Sequence, residues 1–548
     1  MVHLRIFASL LVLWSVVGLL GCGGGGGGGG AAPPRDTVAP VVTLLSPLSG
    51  DCLCETQNVV WFTEDEAVGT VKIELTGPGG TTVLADGLAD SGTYSWDTTA
   101  LADGNTYVLR VTATDSAGNT GVATSTNGNI IVDNTDPTVT VTAPTGGEYW
   151  NTTKSITWTT TDDNRGTVLV ELSNDGGSTY STELTTDTTD VGSFTLDTTA
   201  IADGANYRVR VTPTDEAGNA GAADESTADF IIDNTVPNLT LTSPAGGEVW
   251  GGVHNITWNC ADTNRSVVLV ELSADGGTTW STLAAAATDN GSYSFNTGSR
   301  NGANYRVRLT PSDLAGNSGT PRLSAVFTID NTDPTVALTS PIGGEIWNGL
   351  KSVTWNTTDA NEATVLIEIS ANGGTSYSTL ATVPDTGSYD YNFGSQSNGA
   401  NYRVRVTATD DAGNVGAASA SPANFTVDKI APVIALTSPS GGELWRGNKP
   451  ITWNTTDANP GTVLLQVSTD GGANFTALQV SVPDTGSYTL DTTALSDSGN
   501  CRVRLTATDG AGNVGGPSVL GTSFTIDNRA PGINLNSPAA GNIWGGTE

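Results

Sequence analysis

The chain has little of what most catalytic sites need. It holds two histidines, His3 and His254, so catalysis by histidine and histidine-rich metal sites are nearly excluded. Basic residues are also few, with 22 Lys and Arg against 56 Asp and Glu and a formal charge of −34. Nucleic acid and anionic membranes both require basic patches, whereas hard cations such as Ca²⁺ suit an acidic surface. We therefore expect no enzyme activity and no nucleic-acid partner.

The five cysteines form no repeated framework. Cys260 and Cys501 lie far apart in the sequence, and we expect both to be small, buried, apolar side chains. Cys52 and Cys54 are close enough to bridge, but a Cys-x-Cys ring is strained. A disulfide and two free thiols therefore both remain open for this pair.

The N-terminus has the anatomy of an export signal over residues 1–21. A short n-region with Arg5 precedes an apolar stretch, Ile6 to Leu20, which favours a signal peptide over a membrane span. The following Leu19-Leu20-Gly21-Cys22 resembles the lipobox of bacterial lipoproteins, which implies cleavage before Cys22, lipidation of its thiol and attachment to a membrane. An ordinary secretory signal with a chance cysteine is the alternative. Residues 22–37 are glycine-rich and predict a tether. By the same resemblance, Gly23 favours the outer membrane or cell surface.

The remainder repeats with a period near 98 residues. A proline junction recurs at Pro40, Pro137, Pro237, Pro334, Pro432 and Pro531, with spacings of 97, 100, 97, 98 and 99. Self-similarity at a fixed period indicates a tandem array. We predict repeat 1 at 38–133, repeat 2 at 134–233, repeat 3 at 234–330, repeat 4 at 331–428 and repeat 5 at 429–527. Residues 528–548 open a truncated sixth repeat, so we expect the sequence to be a fragment.

Each repeat reads as about seven short strands. In repeat 2, Thr138–Thr142, Ser155–Thr159, Thr167–Ser173 and Tyr207–Val211 alternate between apolar and polar side chains, and turns separate them. This pattern is typical of an immunoglobulin-like β-sandwich. The predicted fold class is therefore all-β, a tandem array of about five sandwiches plus the truncated sixth.

Three stretches of repeat 2 carry family resemblances. Gly204 to Val211 resembles the tyrosine corner of fibronectin type III domains, a family in which a core tryptophan lies on the second strand, as Trp158 does. The Gly-Gly-Glu148-x-Trp150 stretch is similar to the Kre9/KNH-type surface domain, and Asp215 to Asn219 resembles bacterial Ig-like adhesin domains. These resemblances imply the fold more than the function. Repeat 1 departs from the pattern, with Cys52 near the position of the Glu148 turn.

Three recurring motifs admit a functional and a structural interpretation. The outward arginines of repeats 2–5, such as Arg208 and Arg210, could bind a ligand, but pairing with Glu171 across strands is simpler. The Ser273-x-Asp275-x-Gly277 motif matches the sialidase Asp-box, which is a folding hairpin. The tryptophans equivalent to Trp150 could stack on sugars or fill the sandwich end, and we favour the second.

The acidic repeat junctions are the best candidate site. Ig-like topology brings the preceding linker and two loops of each sandwich to one end, where clustered carboxylates repel unless a cation lies among them. The linker at Asp133 also resembles the cadherin interdomain motif, although the Asp-Arg-Glu segment of that family is absent. Alternatively, Asp and Asn simply build turns. The predicted Ca²⁺ ligands are Asp133, Asp136, Asp162, Asp163, Asp215, Asn219, Asp233, Asp262, Asp313, Asp330, Asp333, Asp359 and Asp410.

These observations predict a lipid-anchored structural or adhesive protein of the cell surface, a rod of repeats with a protein or glycan ligand. The alternative is the spacer or carbohydrate-binding region of an exported enzyme whose catalytic domain lies beyond Glu548. We find no set of nucleophile, base and orienting group within the repeats.

Overall fold

The computed structural model describes residues 35–125 and 129–534. The predicted signal, Cys22, most of the tether and most of the sixth repeat lie outside the described residues. By its internal contacts the chain divides into two compact units, Met1–Thr235 and Val236–Glu548, and each is treated by itself. In the described part of the chain, no helix has the length and apolar character needed to cross a membrane.

Within the described residues each repeat contributes nine strands, and the shortest of these strands are two residues long. Repeat 1 contains β1 Val41–Ser46, β2 Cys52–Leu53, β3 Thr56–Glu64, β4 Val68–Gly77, β5 Gly80–Leu88, β6 Thr93–Asp97, β7 Gly104–Asp115, β8 Thr120–Thr124 and β9 Ile130–Val132. Repeat 2 contains β10 Thr138–Ala143, β11 Tyr149–Trp150, β12 Thr153–Thr161, β13 Arg165–Ser173, β14 Thr182–Thr189, β15 Ser193–Asp197, β16 Gly204–Asp215, β17 Asp224–Glu225 and β18 Phe230–Ile232.

The second unit continues the series. Repeat 3 contains β19 Asn238–Ser243, β20 Val249–Trp250, β21 Val253–Ala261, β22 Arg265–Ser273, β23 Ser281–Thr288, β24 Ser292–Asn296, β25 Gly302–Asp313, β26 Arg322–Leu323 and β27 Phe327–Ile329. Repeat 4 contains β28 Thr335–Ser340, β29 Ile346–Trp347, β30 Leu350–Thr358, β31 Glu362–Ser370, β32 Ser378–Pro384, β33 Ser388–Asn392, β34 Gly399–Asp410, β35 Ser419–Ala420 and β36 Phe425–Val427. Repeat 5 contains β37 Val433–Ser438, β38 Leu444–Trp445, β39 Asn448–Thr456, β40 Pro460–Ser468, β41 Thr476–Pro483, β42 Ser487–Asp491, β43 Ser498–Asp509, β44 Ser518–Val519 and β45 Phe524–Ile526.

Every repeat folds as a sandwich of two sheets. In repeat 2, one sheet has the order β10-β12-β15, and the other has the order β11-β18-β16-β13-β14 with β17 also paired to β16. Neighbours are antiparallel except β11 and β18, which run parallel. The fold class is thus confirmed as about five tandem Ig-like sandwiches. In repeat 2 the expected count of about seven strands becomes nine, because the two-residue strands β11, at one end of the second sheet, and β17, beside β16, add to it.

The core of each sandwich is centred on its strand tryptophan. Trp158 is 3% exposed, and its indole Nε1 donates to Asp190 Oδ1 at 2.7 Å. The same bond joins Trp61 to Asp90 in repeat 1. The partner aspartate lies about thirty residues downstream on another turn. A buried indole N–H requires an acceptor, and this bond supplies it in each sandwich.

The tyrosine corner forms as the resemblance implied. Tyr207 is buried, and its hydroxyl donates to the carbonyl of Ala202 at 2.6 Å. Tyr107 makes the equivalent bond to Ala102 at 2.7 Å. In repeat 5 a buried cysteine, Cys501, occupies this position, so that corner has no phenol group.

The four described cysteines are free thiols. Cys501 is buried as expected, but Cys260 is only partly buried and lies next to the last residue of β21. Cys54 is buried, and its Sγ donates to the carbonyl of Ala217 at 3.0 Å. Burial raises the pKa of the Cys52 thiol to about 12, which favours its neutral form.

Candidate cation sites at the repeat junctions

Three carboxylates meet where repeat 1 passes into repeat 2. Asp133 follows β9 at the end of repeat 1, Asp162 follows β12, and Asp215 ends β16. Each offers one oxygen, and these oxygens lie within 4.8 Å of one another. Asp133 and Asp215 are buried and Asp162 is half-buried. The linker and the two loops therefore converge as the topology predicts.

Amide groups organise this cluster without neutralising it. Asn164 Nδ2 donates to Asp133 Oδ2 at 2.8 Å. Asn219 Nδ2 donates to Asp215 Oδ2 at 2.6 Å and to the Asp133 carbonyl at 2.8 Å. Burial raises the pKa of the Asp162 carboxyl above its usual range, and the negative charges of Asp133 and Asp215 contribute to the rise. The electrostatic potential at the cluster is therefore negative, and this favours binding of a cation.

The linker itself is attached on both sides. The Asn134 backbone N–H donates to Asp103 Oδ1 at 2.8 Å, and its side-chain Nδ2 donates to the Thr98 carbonyl at 3.0 Å, both in repeat 1. On the other side, Asn219 of repeat 2 holds the Asp133 carbonyl. The adjacent residues Asp133 and Asn134 thus make hydrogen bonds to different sandwiches, Asn134 to repeat 1 and Asp133 to repeat 2.

The second unit contains the same arrangement at the junction of repeats 3 and 4. Asp330, Asp359 and Asp410 bring their oxygens within 4.8 Å, as predicted. Asn361 Nδ2 donates to Asp330 Oδ2 at 2.6 Å, and Asn414 Nδ2 donates to Asp410 Oδ2 at 2.8 Å. The amide positions of repeat 2 are therefore repeated.

Sequence reasoning missed two further groups. They are Asp36, Asp65 and Asp115 in the first unit, and Asp428, Asp457 and Asp509 in the second. Asn459 Nδ2 donates to Asp428 Oδ2 at 2.7 Å, like Asn164 in repeat 2. The period of about 98 residues, carried through repeats 1 and 5, would have found both groups.

Not every predicted ligand lies in a group. Asp136, Asp163 and Asp333 are exposed to solvent and belong to none of the groups, so the prediction that they are ligands is not supported by their positions. Asn219 lies beside the first group, and its amide nitrogen donates to Asp215 and to the Asp133 carbonyl.

Asp233 is buried and follows the last residue of β18, and its carboxylate accepts from the Thr235 N–H at 3.1 Å.

The remaining two predicted ligands belong to the second unit. Asp262 follows β21 and accepts from the Asn264 N–H at 2.7 Å. Asp313 ends β25, is buried, and accepts from the Asn317 N–H and Nδ2, each at 2.8 Å. Within repeat 3 these loops therefore have the same turn bonds as their equivalents in repeat 2.

The donor set suits a hard divalent cation. All three ligands in each group are carboxylates, with neither histidine nor cysteine among them. Ca²⁺ takes six to eight oxygens, so the three carboxylate oxygens that meet in each group would form part of its coordination shell. The residues present therefore fit Ca²⁺ in charge and in ligand chemistry.

The other candidate motifs have structural roles. Arg210 Nε contacts Glu171 Oε2 at 2.8 Å, and its guanidinium lies 4.2 Å from the Tyr180 ring centroid. Asp175 of the hairpin accepts from the N–H and hydroxyl of Thr179 at 2.9 and 2.7 Å. Trp150 is buried, with its ring 4.6 Å from Phe230 between centroids, so it fills the sandwich end.

Two family models match parts of the chain. The bacterial Ig-like domain (group 3) matches residues 289–424, and the bacterial Ig domain matches residues 137–211. No curated protein was found to match.

Solved structures with similarity are low in identity. A tetra-tandem repeat from the extending region of a large adhesion protein is 23% identical, covering 72% of this chain and all of that one, with a TM-score of 0.28. A Ca²⁺-stabilised adhesin of an Antarctic bacterium is 22% identical over 72% of this chain and all of that one, with a TM-score of 0.22. Fibronectin(III)-like modules of Clostridium thermocellum CbhA are 20% identical, covering 36% and 94% of the two chains, with a TM-score of 0.24.

Proposed function

We propose that this chain is a non-catalytic surface protein, held to a membrane through lipid on Cys22, whose tandem sandwiches are fastened to one another by Ca²⁺ and carry an adhesive or presenting function. The observation that carries the proposal is that the three aspartates of a group come from two successive repeats. Asp133 comes from the end of one repeat, whereas Asp162 and Asp215 come from loops of the next. An ion bound there is shared by two repeats.

Because two repeats share the ligands, binding of the ion should strengthen the junction between repeats and leave the fold of each sandwich unchanged. Each sandwich has its own buried core, with Val59 and Trp61 in repeat 1 and Ile156 and Trp158 in repeat 2. Removing Ca²⁺ therefore leaves the sandwiches folded and loosens the connection between them. Such a connection suits a protein that must hold its outer repeats away from the membrane.

Cys22 and its surroundings support the anchor. The Leu-Leu-Gly-Cys run has the lipobox pattern, and a run of glycines follows it. A diacylated cysteine provides stable attachment because each buried CH₂ contributes about 0.8 kcal/mol. The export signal and the acidic composition support a location outside the cytoplasm, at the cell envelope. Metabolic labelling with a fatty-acid analogue tests this, and incorporation that persists in the Cys22→Ser variant contradicts it.

A protein or glycan ligand on the repeats completes the proposal. The buried Trp150 and Trp250 are unsuited to sugar stacking, so they give no support to a glycan in particular. Binding of the purified chain to protein and glycan arrays separates the two classes of ligand.

Calcium titration of the full chain tests the central step. After metal removal, isothermal titration with CaCl₂ is expected to give saturable heat and a raised melting temperature. At a hundred times Kd, binding contributes about 2.7 kcal/mol. Asp162→Asn should reduce the stoichiometry by one site, whereas Asp163→Asn, its exposed neighbour, should leave it unchanged. Absence of heat and of any melting shift up to millimolar Ca²⁺ would overturn the proposal.

A further inference from the structure

The outer face of the three-stranded sheet in repeat 1 carries an apolar patch. Val41, Leu45 and Phe62 are 59%, 52% and 55% exposed. Thr43 pairs with Phe62 and Val41 pairs with Glu64, whereas Leu45 is the unpaired residue of a bulge between Leu44 and Ser46. Val41 and Phe62 are therefore diagonal neighbours on one face. Leu45 is exposed on the same face, as is its equivalent in repeat 2, Thr142, whose hydroxyl bonds to that of Thr157 on the neighbouring strand.

The fold does not require apolar residues at these positions. In repeat 2 the equivalent positions hold Thr138, Thr142 and Thr159, all exposed on the same face. Isolated exposed apolar side chains are ordinary, but an adjacent group of them marks an interaction surface. The patch therefore distinguishes repeat 1 from a repeat with the same architecture.

Chain length limits what this patch can meet. Fifteen residues, 23–37, separate the predicted lipid-bearing cysteine from repeat 1. Even fully extended, they reach about 55 Å. Lipid on Cys22 therefore keeps repeat 1 within that distance of the bilayer surface, which raises the effective concentration of lipid at the patch.

Charge selects the kind of lipid. Glu64 is exposed on the same face, opposite Val41 in the register, and the whole chain carries −34. Anionic headgroups are repelled by such a surface, whereas zwitterionic headgroups are not. Phe, Leu and Val side chains enter the boundary between headgroups and acyl chains.

We infer that Val41, Leu45 and Phe62 form a docking surface for the zwitterionic lipid surface in which Cys22 is anchored. Repeat 1 thereby lies against the bilayer, and its orientation sets the direction in which the chain continues. This inference rests on the proposed anchor.

Photo-crosslinking to lipid tests the docking surface. The full lipidated chain is reconstituted in vesicles of phosphatidylcholine and phosphatidylethanolamine that contain a lipid with a photoactivatable acyl chain. Crosslinked peptides are expected from residues 41–48 and 56–64 of repeat 1. The equivalent peptides of repeat 2, residues 138–145 and 153–161, serve as the internal control and should carry at least tenfold less.

A variant with the threonines of repeat 2 provides the matched control. Val41→Thr, Leu45→Thr and Phe62→Thr together should lower crosslinking of repeat 1 at least tenfold while leaving the melting temperature unchanged. Equal crosslinking of both repeats, or undiminished crosslinking of the triple variant, overturns the docking surface.

Vesicle flotation separates this result from failure of the anchor. The Cys22→Ser variant should no longer float with vesicles. If it floats like the native chain, or if the native chain does not float, the anchor is wrong and the inference falls with it. If flotation depends on Cys22 but repeat 1 is not crosslinked, the anchor stands and only the docking surface is overturned.

Discussion

Repeats 1 and 2 share one architecture but differ at the sandwich end, in one hairpin and on the outer face of the three-stranded sheet. Both have the strand tryptophan bonded to an aspartate and the tyrosine corner. At the sandwich end, however, repeat 2 packs Trp150 on Phe230, whereas repeat 1 places Leu53 and Ile130 at these positions. Both members of the pair are smaller in repeat 1. The comparison teaches that the fold requires a filled end and accepts more than one way of filling it.

The hairpins differ in kind as well. Repeat 2 uses the Ser173 to Thr179 motif, in which Asp175 collects bonds from Thr179 and Ser173 and Gly176 and Gly177 adopt positive φ. Repeat 1 turns through Gly77-Pro78-Gly79-Gly80, without a carboxylate. A tight turn of this composition needs no side-chain support.

The largest effect is expected at the sandwich end. Trp150→Ala should destabilise repeat 2 by about 3–5 kcal/mol, because a large buried side chain leaves a cavity. The pair taken from repeat 1, Trp150→Leu with Phe230→Ile, should cost less than the sum of its two single changes. Amide hydrogen exchange of repeat 2, with repeat 1 as internal reference, measures each free energy. Strict additivity would show that the two positions are not packed as a unit.

A smaller and equal effect is expected at the two tyrosine corners. Tyr107→Phe and Tyr207→Phe each remove one hydroxyl bond to a backbone carbonyl, worth about 1 kcal/mol. Hydrogen exchange of each repeat should show similar losses in the two variants. A loss in one repeat alone would mean that the corner is not a shared requirement of the fold.

The smallest effect is local and depends on pH. Hydrogen bonds from Thr179 and Ser173 lower the pKa of Asp175 from 3.8 to about 2. Its contribution is therefore complete above pH 4 and is lost as the pH falls from about 4 to 2. Amide exchange of residues 173–180 should accelerate over this range, while residues 77–80 of repeat 1 should not respond. Asp175→Asn should remove the pH dependence, since Asn372 occupies this position in repeat 4 and accepts the equivalent Ser376 N–H bond at 3.0 Å.

The sequence pattern was sufficient where several residues alternate. Tyr207 to Val211 predicted a strand, and the structure pairs its Arg210 with Glu171 as expected. The two-residue strands β11 and β17 have no period to detect, and β14 is too rich in threonine to show one face. The bond from Trp158 to Asp190 escaped prediction because nothing local relates an indole to a carboxylate 32 residues away.

The candidate site was predictable for a different reason. Topology, and not local pattern, brings Asp133, Asp162 and Asp215 together, so recognition of the fold was enough. The sequence could not distinguish Asp162 from its neighbour Asp163. Only the structure shows that the Asp162 carboxylate belongs to the group and that of Asp163 does not. The group that contains Asp36 escaped prediction because repeat 1 departs from the common pattern. The group that contains Asp428 follows the common period and was predictable from it.

The attachment of each linker to both neighbours has an evolutionary consequence. Asn134 bonds to the repeat behind it, and the adjacent Asp133 bonds to the repeat ahead. One period of sequence therefore contains everything needed for one sandwich and one joint. Unequal crossing-over between such periods adds or deletes whole units without creating an unmatched interface. The length of a protein built in this way can change by recombination alone, whereas a single position, such as that of Cys501, can differ from its equivalents in the other repeats.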